Sequence, residues 1–146
     1  RLERKVDWAA RLHEIGTQIS HSDYHKHGAY ILDNSDAPGF SLSELHRLGQ
    51  LVLGHRGKLA KLEIDFNDVT FVQQLLSLRL AVLLCHARRD PNLQELVVAC
   101  NLNSPRRVCI SVRDGWAEAW PQSAHLLREE VKAWQRTPWA LQVLNI

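Results

Sequence analysis

Apolar residues fall at helical spacing through the first two-thirds of the chain. Val6, Ala9, Ala10 and His13 form one stripe, and Gly16 is a natural stop. A second helix is expected after Ser22 or Asp23, either of which can cap it, running through "YHKHGAYILDN". "SDAPGF" reads as a turn. "SLSELHRLGQLVLGH" opens with Ser41 and Glu44 three residues on, the spacing of a capping box, and its apolar face is Leu45, Leu48, Val52 and Leu51. "RGKLAKLEID" is a polar connection. "DVTFVQQLLSLRLAVLLCHARRD" is nearly all apolar in its middle, which predicts the most buried helix, ended by Pro91.

Beyond Pro91 the pattern changes from a period of 3.6 to a period of 2. "ELVVAC" and "RRVCISV" are short and β-branched, with "NLNSP" between them, so a hairpin is predicted. "SAHLLREEVKAWQ" carries Leu126, Leu127, Val131 and Trp134 on one helical face, predicting a helix over about 123–135. "WALQVLNI" is placed as a closing strand. The fold class is therefore mainly α: a helical bundle over 1–92, then a small α+β lobe over 93–146.

Composition narrows the partners. The 146 residues are 45% hydrophobic and 23% charged, with a formal net charge of +2, which requires no nucleic-acid partner. No apolar run reaches the roughly 18 residues of a membrane span, and no signal peptide is visible. Three cysteines without CxxC spacing argue against a disulfide framework and read as buried reduced thiols. Together these point to the cytoplasm. The chain contains no methionine and begins as if mid-helix, so it is read as a fragment of a longer protein.

The chemistry-bearing residues are histidines and cations. Six of eight histidines lie at or before His55. Neighbouring residues such as His13 and Glu14 point about 100° apart on a helix, and His25 and His27 are two apart, so spacing gives little support for a metal site. Lys26 lies between His25 and His27, and Arg56 and Lys58 follow His55. Arg88 and Arg89 end the long helix, where the helix dipole already explains them. Each cluster alone suits a solvated face; converging, they would suit an anionic polymer through many weak phosphate contacts. No glycine-rich phosphate loop, GxSxG or HExxH is present.

"WAARLHEIGTQISHSDYHKHGAYIL", "DAPGF", "LVLGHRGK" and "LRLAVLLCHARRD" resemble the C-terminal region of bacterial exopolyphosphatases, in the Ppx/GppA phosphatase family. The resemblance covers about the first 90 residues closely, and "HKHG" looks more like the exopolyphosphatase branch than the guanosine pentaphosphate branch. It implies an HD-like helical domain, with catalytic carboxylates and a magnesium site in N-terminal actin-like domains outside the chain. It further implies a homodimer, and inorganic polyphosphate passing between domains. An active HD site needs an upstream His, a His-Asp pair and a later Asp. Here the pair is His13-Glu14, no His precedes it, Val82 and Leu83 stand where the late ligand belongs, and Asp90 comes too late. The pair is therefore expected to be a relic that binds no metal, with His13 as core.

These readings imply a substrate-binding and dimerisation module with no catalytic residue or cofactor of its own. The phosphate contacts expected are His25, Lys26, His27, Arg56 and Lys58. A module for guanosine pentaphosphate and a metal-dependent HD phosphohydrolase are the alternatives.

Overall fold

The computed structural model describes residues 2–87, 90–103 and 106–146. Six helices and three strands are assigned among them: α1 (Leu2–Leu12), α2 (Tyr24–Asp33), α3 (Leu42–Gly54), α4 (Val69–Leu84), β1 (Leu96–Asn101), β2 (Arg107–Val112), α5 (Trp116–Ala119), α6 (Pro121–Trp134) and β3 (Ala140–Leu144). The chain is mainly α with a small three-stranded sheet, as its periodicity implies. No helix among the described residues is long and apolar enough to cross a membrane.

Packing divides the chain into two compact units: Arg1–Gly57 with Thr70–Arg79, and Lys58–Val69 with Leu80–Ile146. The change of texture at 92/93 marks where helices give way to strands; the compact units are divided elsewhere, and α4 contributes to both.

In the first unit the capping box forms as expected. Ser41 Oγ accepts from the Glu44 amide at 3.1 Å, and the Glu44 carboxylate accepts from the Ser41 amide at 3.4 Å. Reciprocal satisfaction of two free amides fixes where α3 begins. Leu45, Leu48, Leu51 and Val52 are all buried. α2 also starts where predicted, with Asp23 as its cap residue. Asp23 is in the left-handed region at φ 53° and makes no side-chain cap bond, so the cap is a backbone turn.

Gly16 plays a different part from the one its position suggests. α1 stops at Leu12, and Gly16 lies buried in a 3-10 turn, Ile15–Gln18. A Cβ at Gly16 would lie 1.9 Å from the Tyr24 carbonyl oxygen and 2.5 Å from the Gly28 amide. Gly28 in turn has Val52 Cγ1 2.8 Å from where its own Cβ would be. These two glycines let the turn, α2 and α3 approach backbone to side chain.

In the second unit β1 pairs antiparallel with β2, and β2 pairs parallel with β3 in the order β1-β2-β3, with Val108 opposite Leu141. A parallel pair needs a crossover, and α5 and α6 supply it. Val108, Ile110 and Val112 alternate into the core with Leu127, Trp134 and Trp139. Trp139 Nε1–H donates to the Phe66 carbonyl at 3.0 Å, and Arg106 donates to the same oxygen at 2.9 Å. The predicted antiparallel strand pair, amphipathic helix and closing strand are all present.

Two expectations are corrected. α4 ends at Leu84, well ahead of Pro91, and a 3-10 turn over Cys85–Ala87 follows. Cys85 and Cys100 are exposed and Cys109 is half-buried, all three free. Cys100 lies on β1, which sits at the sheet edge and is exposed along nearly its whole length.

Candidate functional site

Three segments of the first unit meet around one buried imidazole. His55, just past the end of α3, is 2% exposed. Its Nδ1 lies 2.5 Å from the Val52 carbonyl. A carbonyl only accepts, so Nδ1 carries the proton and Nε2 is left as an acceptor. The Tyr24 hydroxyl, at the first turn of α2, lies 3.4 Å from that nitrogen and donates to it. His13, just past α1, sits edge-on to His55 at 5.1 Å between ring centroids, and His25 does so at 6.5 Å.

Arg56 closes the group from outside. Its guanidinium carbon lies 4.8 Å from the Tyr24 ring centroid, a cation–π contact. Gly57 follows at φ +86°, and a Cβ there would lie 3.9 Å from His25 Nε2. The left-handed turn lets the chain leave α3 while Arg56 stays exposed over Tyr24.

The cluster sets protonation. Burial, chiefly, pushes the His55 pKa down to about 4, with the nearby His13, His25 and Arg56 adding to the shift and the Val52 carbonyl opposing it. His25 is also lowered, first by burial and then by Arg56, with Asp23 opposing. Its Nδ1 is enclosed without a hydrogen-bond partner. At neutral pH His55 is a neutral spacer, and the fixed charge at this edge is carried by Arg56 and Lys26. Lys26 is exposed and its ammonium lies 3.5 Å from the Asp23 carboxylate, a solvated pair that leaves the cation available.

Of the predicted contact residues, His25 and Arg56 come together here. Lys26 and His27 follow His25 on α2, and both act on its titration through charge. Lys58 is exposed, caps the 3-10 turn Leu59–Lys61, and belongs to the second unit. Arg88 and Arg89 lie outside the described residues.

His13, expected as a core residue, is part-buried, and the fully enclosed imidazole is another one. The His13 side chain is 24% exposed, and it is His55 that is enclosed. His13 Nδ1–H donates to the Ala10 carbonyl at 2.5 Å, and Nε2 stands 3.8 Å from the Glu14 carboxylate. Among the described residues no group of three or more His, Cys, Asp or Glu side chains could hold a metal ion.

Sequence reasoning missed Tyr24, the structural role of His55, and Arg79. Arg79 is buried in α4 and donates to the Gly54 carbonyl at 2.8 Å and the Gly57 carbonyl at 3.1 Å. It thus grips both ends of the His55-Arg56 turn. The signal was available: a lone arginine inside "LLSLRLAVLL" needs buried acceptors.

The first unit thus presents a cationic, imidazole-rich edge where α2 begins and α3 ends. A sequence model of Ppx/GppA phosphatase, domain III, matches residues 1–132, and the chain belongs to that family. Its relatives include a guanosine-5'-triphosphate,3'-diphosphate pyrophosphatase of Pseudoalteromonas translucida, 36% identical over 140 residues, covering 92% of this chain and 27% of the relative. A protein of the same name from Vibrio parahaemolyticus is 31% identical over 140 residues, covering 94% of this chain and 28% of the relative. Another, from Vibrio atlanticus, is 41% identical over 88 residues, covering 59% and 18%. The chain thus spans about a quarter of the length of the curated relatives it matches.

Proposed function

We propose that the chain is a non-catalytic, phosphate-contacting C-terminal domain of a phosphatase that removes the terminal phosphate from a phosphoanhydride chain. The observation that carries this reading is the edge where α2 begins and α3 ends. Arg56 and Lys26 supply fixed charge there, and His25 adds a half-buried ring beside Gly57. His27 on α2 completes the proposed contact set of the first unit. Point cations and donors on a rigid helix pair bind phosphates through summed charge. In this reading catalysis and magnesium belong to actin-like domains outside the chain, and the working enzyme is a cytoplasmic homodimer.

The relatives' names make guanosine-5'-triphosphate,3'-diphosphate one substrate to test. Inorganic polyphosphate is the other, and the edge itself favours it. The Tyr24 ring already carries the Arg56 guanidinium on one face, which leaves a nucleobase less aromatic surface there.

The test is titration of the chain with long-chain polyphosphate and with the guanosine nucleotide between about 50 and 200 mM salt. Affinity should fall steeply with salt. Lys26→Gln/Arg56→Gln should flatten the logarithmic slope by about 1.4, two contacts at ~0.7 each for a single-stranded polyanion. An unchanged slope would sink the assignment. Tighter binding of polyphosphate than of the nucleotide decides between the substrates.

A further inference from the structure

The free edge of the sheet in the second unit lacks the usual defences against strand pairing. β1 is one of the two outer strands of the order β1-β2-β3. No charged residue or proline occurs from Leu96 to Leu102. Edge strands ordinarily carry one or the other, because a row of open N–H and C=O groups templates a further strand. The ladder shows which groups are open. The Arg113 amide donates to the Glu95 carbonyl at 3.0 Å, and Leu96 lies opposite Val112. Opposed pairs in an antiparallel ladder alternate between bonded and non-bonded. Glu95, Val97, Ala99 and Asn101 therefore aim their backbone groups at β2, and Leu96, Val98 and Cys100 aim theirs outward. The apolar layer also stops one strand short. Ile110 on β2 is 1% exposed, while Val98, opposite it on β1 and on the same side of the sheet, is 54% exposed.

We propose that this edge pairs antiparallel with the same edge of a second copy of the chain, on a twofold axis through Val98. Self-complementarity decides the partner, since a twofold contact sets one surface against itself. With Val98 opposite Val98, Leu96 of each copy lies opposite Cys100 of the other. Every outward N–H and C=O of β1 then meets an outward partner. A slip by one residue sets these groups against ones already bonded to β2, and a slip by two takes one of them past the end of the other copy's β1. The strand ends agree with this register, because Glu95 of one copy comes beside Asn101 of the other. Glu95 Oε1 is held by Arg113 at 2.9 Å, while Oε2 has no donor among the described residues. Asn101 Oδ1 accepts from the Asn103 amide at 3.0 Å, which leaves the Asn101 side-chain N–H groups to donate. No like charges are opposed along the strand, and each Val98 gains the other beside it, which carries the apolar layer across the axis. Two three-stranded sheets become one continuous sheet. The inference deepens the homodimer of the proposed function, on which it rests, by giving it an interface.

The test is sedimentation equilibrium of the 146-residue chain in reducing buffer, so that the exposed Cys85 and Cys100 cannot link copies covalently. The chain should pass from monomer to dimer as its concentration rises. Val98→Pro removes one outward N–H and none from the β1–β2 ladder, a position where an edge strand tolerates proline. It should raise the dimer dissociation constant at least about tenfold with the circular dichroism unchanged. Val98→Lys keeps the N–H but sets two cations against each other on the axis, and should weaken the dimer as much. Amide hydrogen exchange reads the register: protection at Leu96, Val98 and Cys100 should grow with concentration, and protection at Val97 and Ala99 should not. A chain that stays monomeric at every concentration would overturn the interface, and so would outward amides whose protection ignores concentration. A dimer that both variants leave intact would also overturn it, while leaving the homodimer itself standing. The salt slope of Lys26→Gln/Arg56→Gln judges the phosphate edge separately in each case.

Discussion

Acid should loosen the first unit through His55, and the size of the effect follows from its burial. The ring is 2% exposed and its pKa is lowered from 6.5 to about 4. The unfolded chain therefore binds a proton near pH 6.5 that the folded chain refuses until about pH 4. For a base with a depressed folded pKa, the stabilisation is intact above the unfolded pKa and is lost as pH falls through the interval. At 1.36 kcal/mol per unit, the loss is about 2 kcal/mol between pH 7 and pH 5, and about 3 kcal/mol by pH 4. Burial lowers the His55 pKa first, the Val52 carbonyl opposes, and the groups facing the ring add to the lowering: His13, His25 and Arg56 all disfavour a further cation, and the Tyr24 hydroxyl donates to the nitrogen that would take the proton. Urea denaturation of the wild type and of His55→Gln across this range is the assay, because other titrations are common to both. His55→Gln should be the less stable protein at pH 7 and should lose about 3 kcal/mol less on going to pH 4. Parallel stability curves, or the His55 imidazole titrating near 6.5 by NMR, would refute the argument.

Arg79→Lys should destabilise by about 3 kcal/mol, since one ammonium cannot replace two guanidinium donations to Gly54 and Gly57; denaturant midpoints check it, and an unchanged midpoint would mean the clamp is not needed. Gly16→Ala should be worse, at about 3 kcal/mol or more, because its Cβ would meet backbone at 1.9 Å; a stable, well-dispersed protein would show that α2 can shift away.

What could be read from the sequence was what depends on near neighbours. Ser41 and Glu44 specify their helix start within four residues, and the change from a helical period to the alternation of "RVCISV" announces a strand. Both are local rules, and both hold. Gly16 failed as a helix stop because its role is set by Tyr24 and Gly28, distant in sequence and adjacent in space. The exchange between His13 and His55 has the same origin: helical periodicity put His13 on an apolar stripe, but only the packing of α2 on α3 decides which imidazole loses its water.

That exchange changes what the candidate edge can do. Counting histidines suggests a surface whose charge, and so whose grip on phosphate, grows as pH falls through the ordinary imidazole range. The folded arrangement removes His55 from that range and lowers His25 as well. Near neutral pH the proposed contacts then rest on Arg56 and Lys26. His25 contributes charge only below the usual imidazole pKa, and its enclosed Nδ1 must find a partner when it does. Protonating it beside Arg56 is unfavourable unless an anion arrives with the proton. Phosphate binding at this edge should therefore draw a proton onto His25, and the two events should strengthen each other as the medium becomes more acidic.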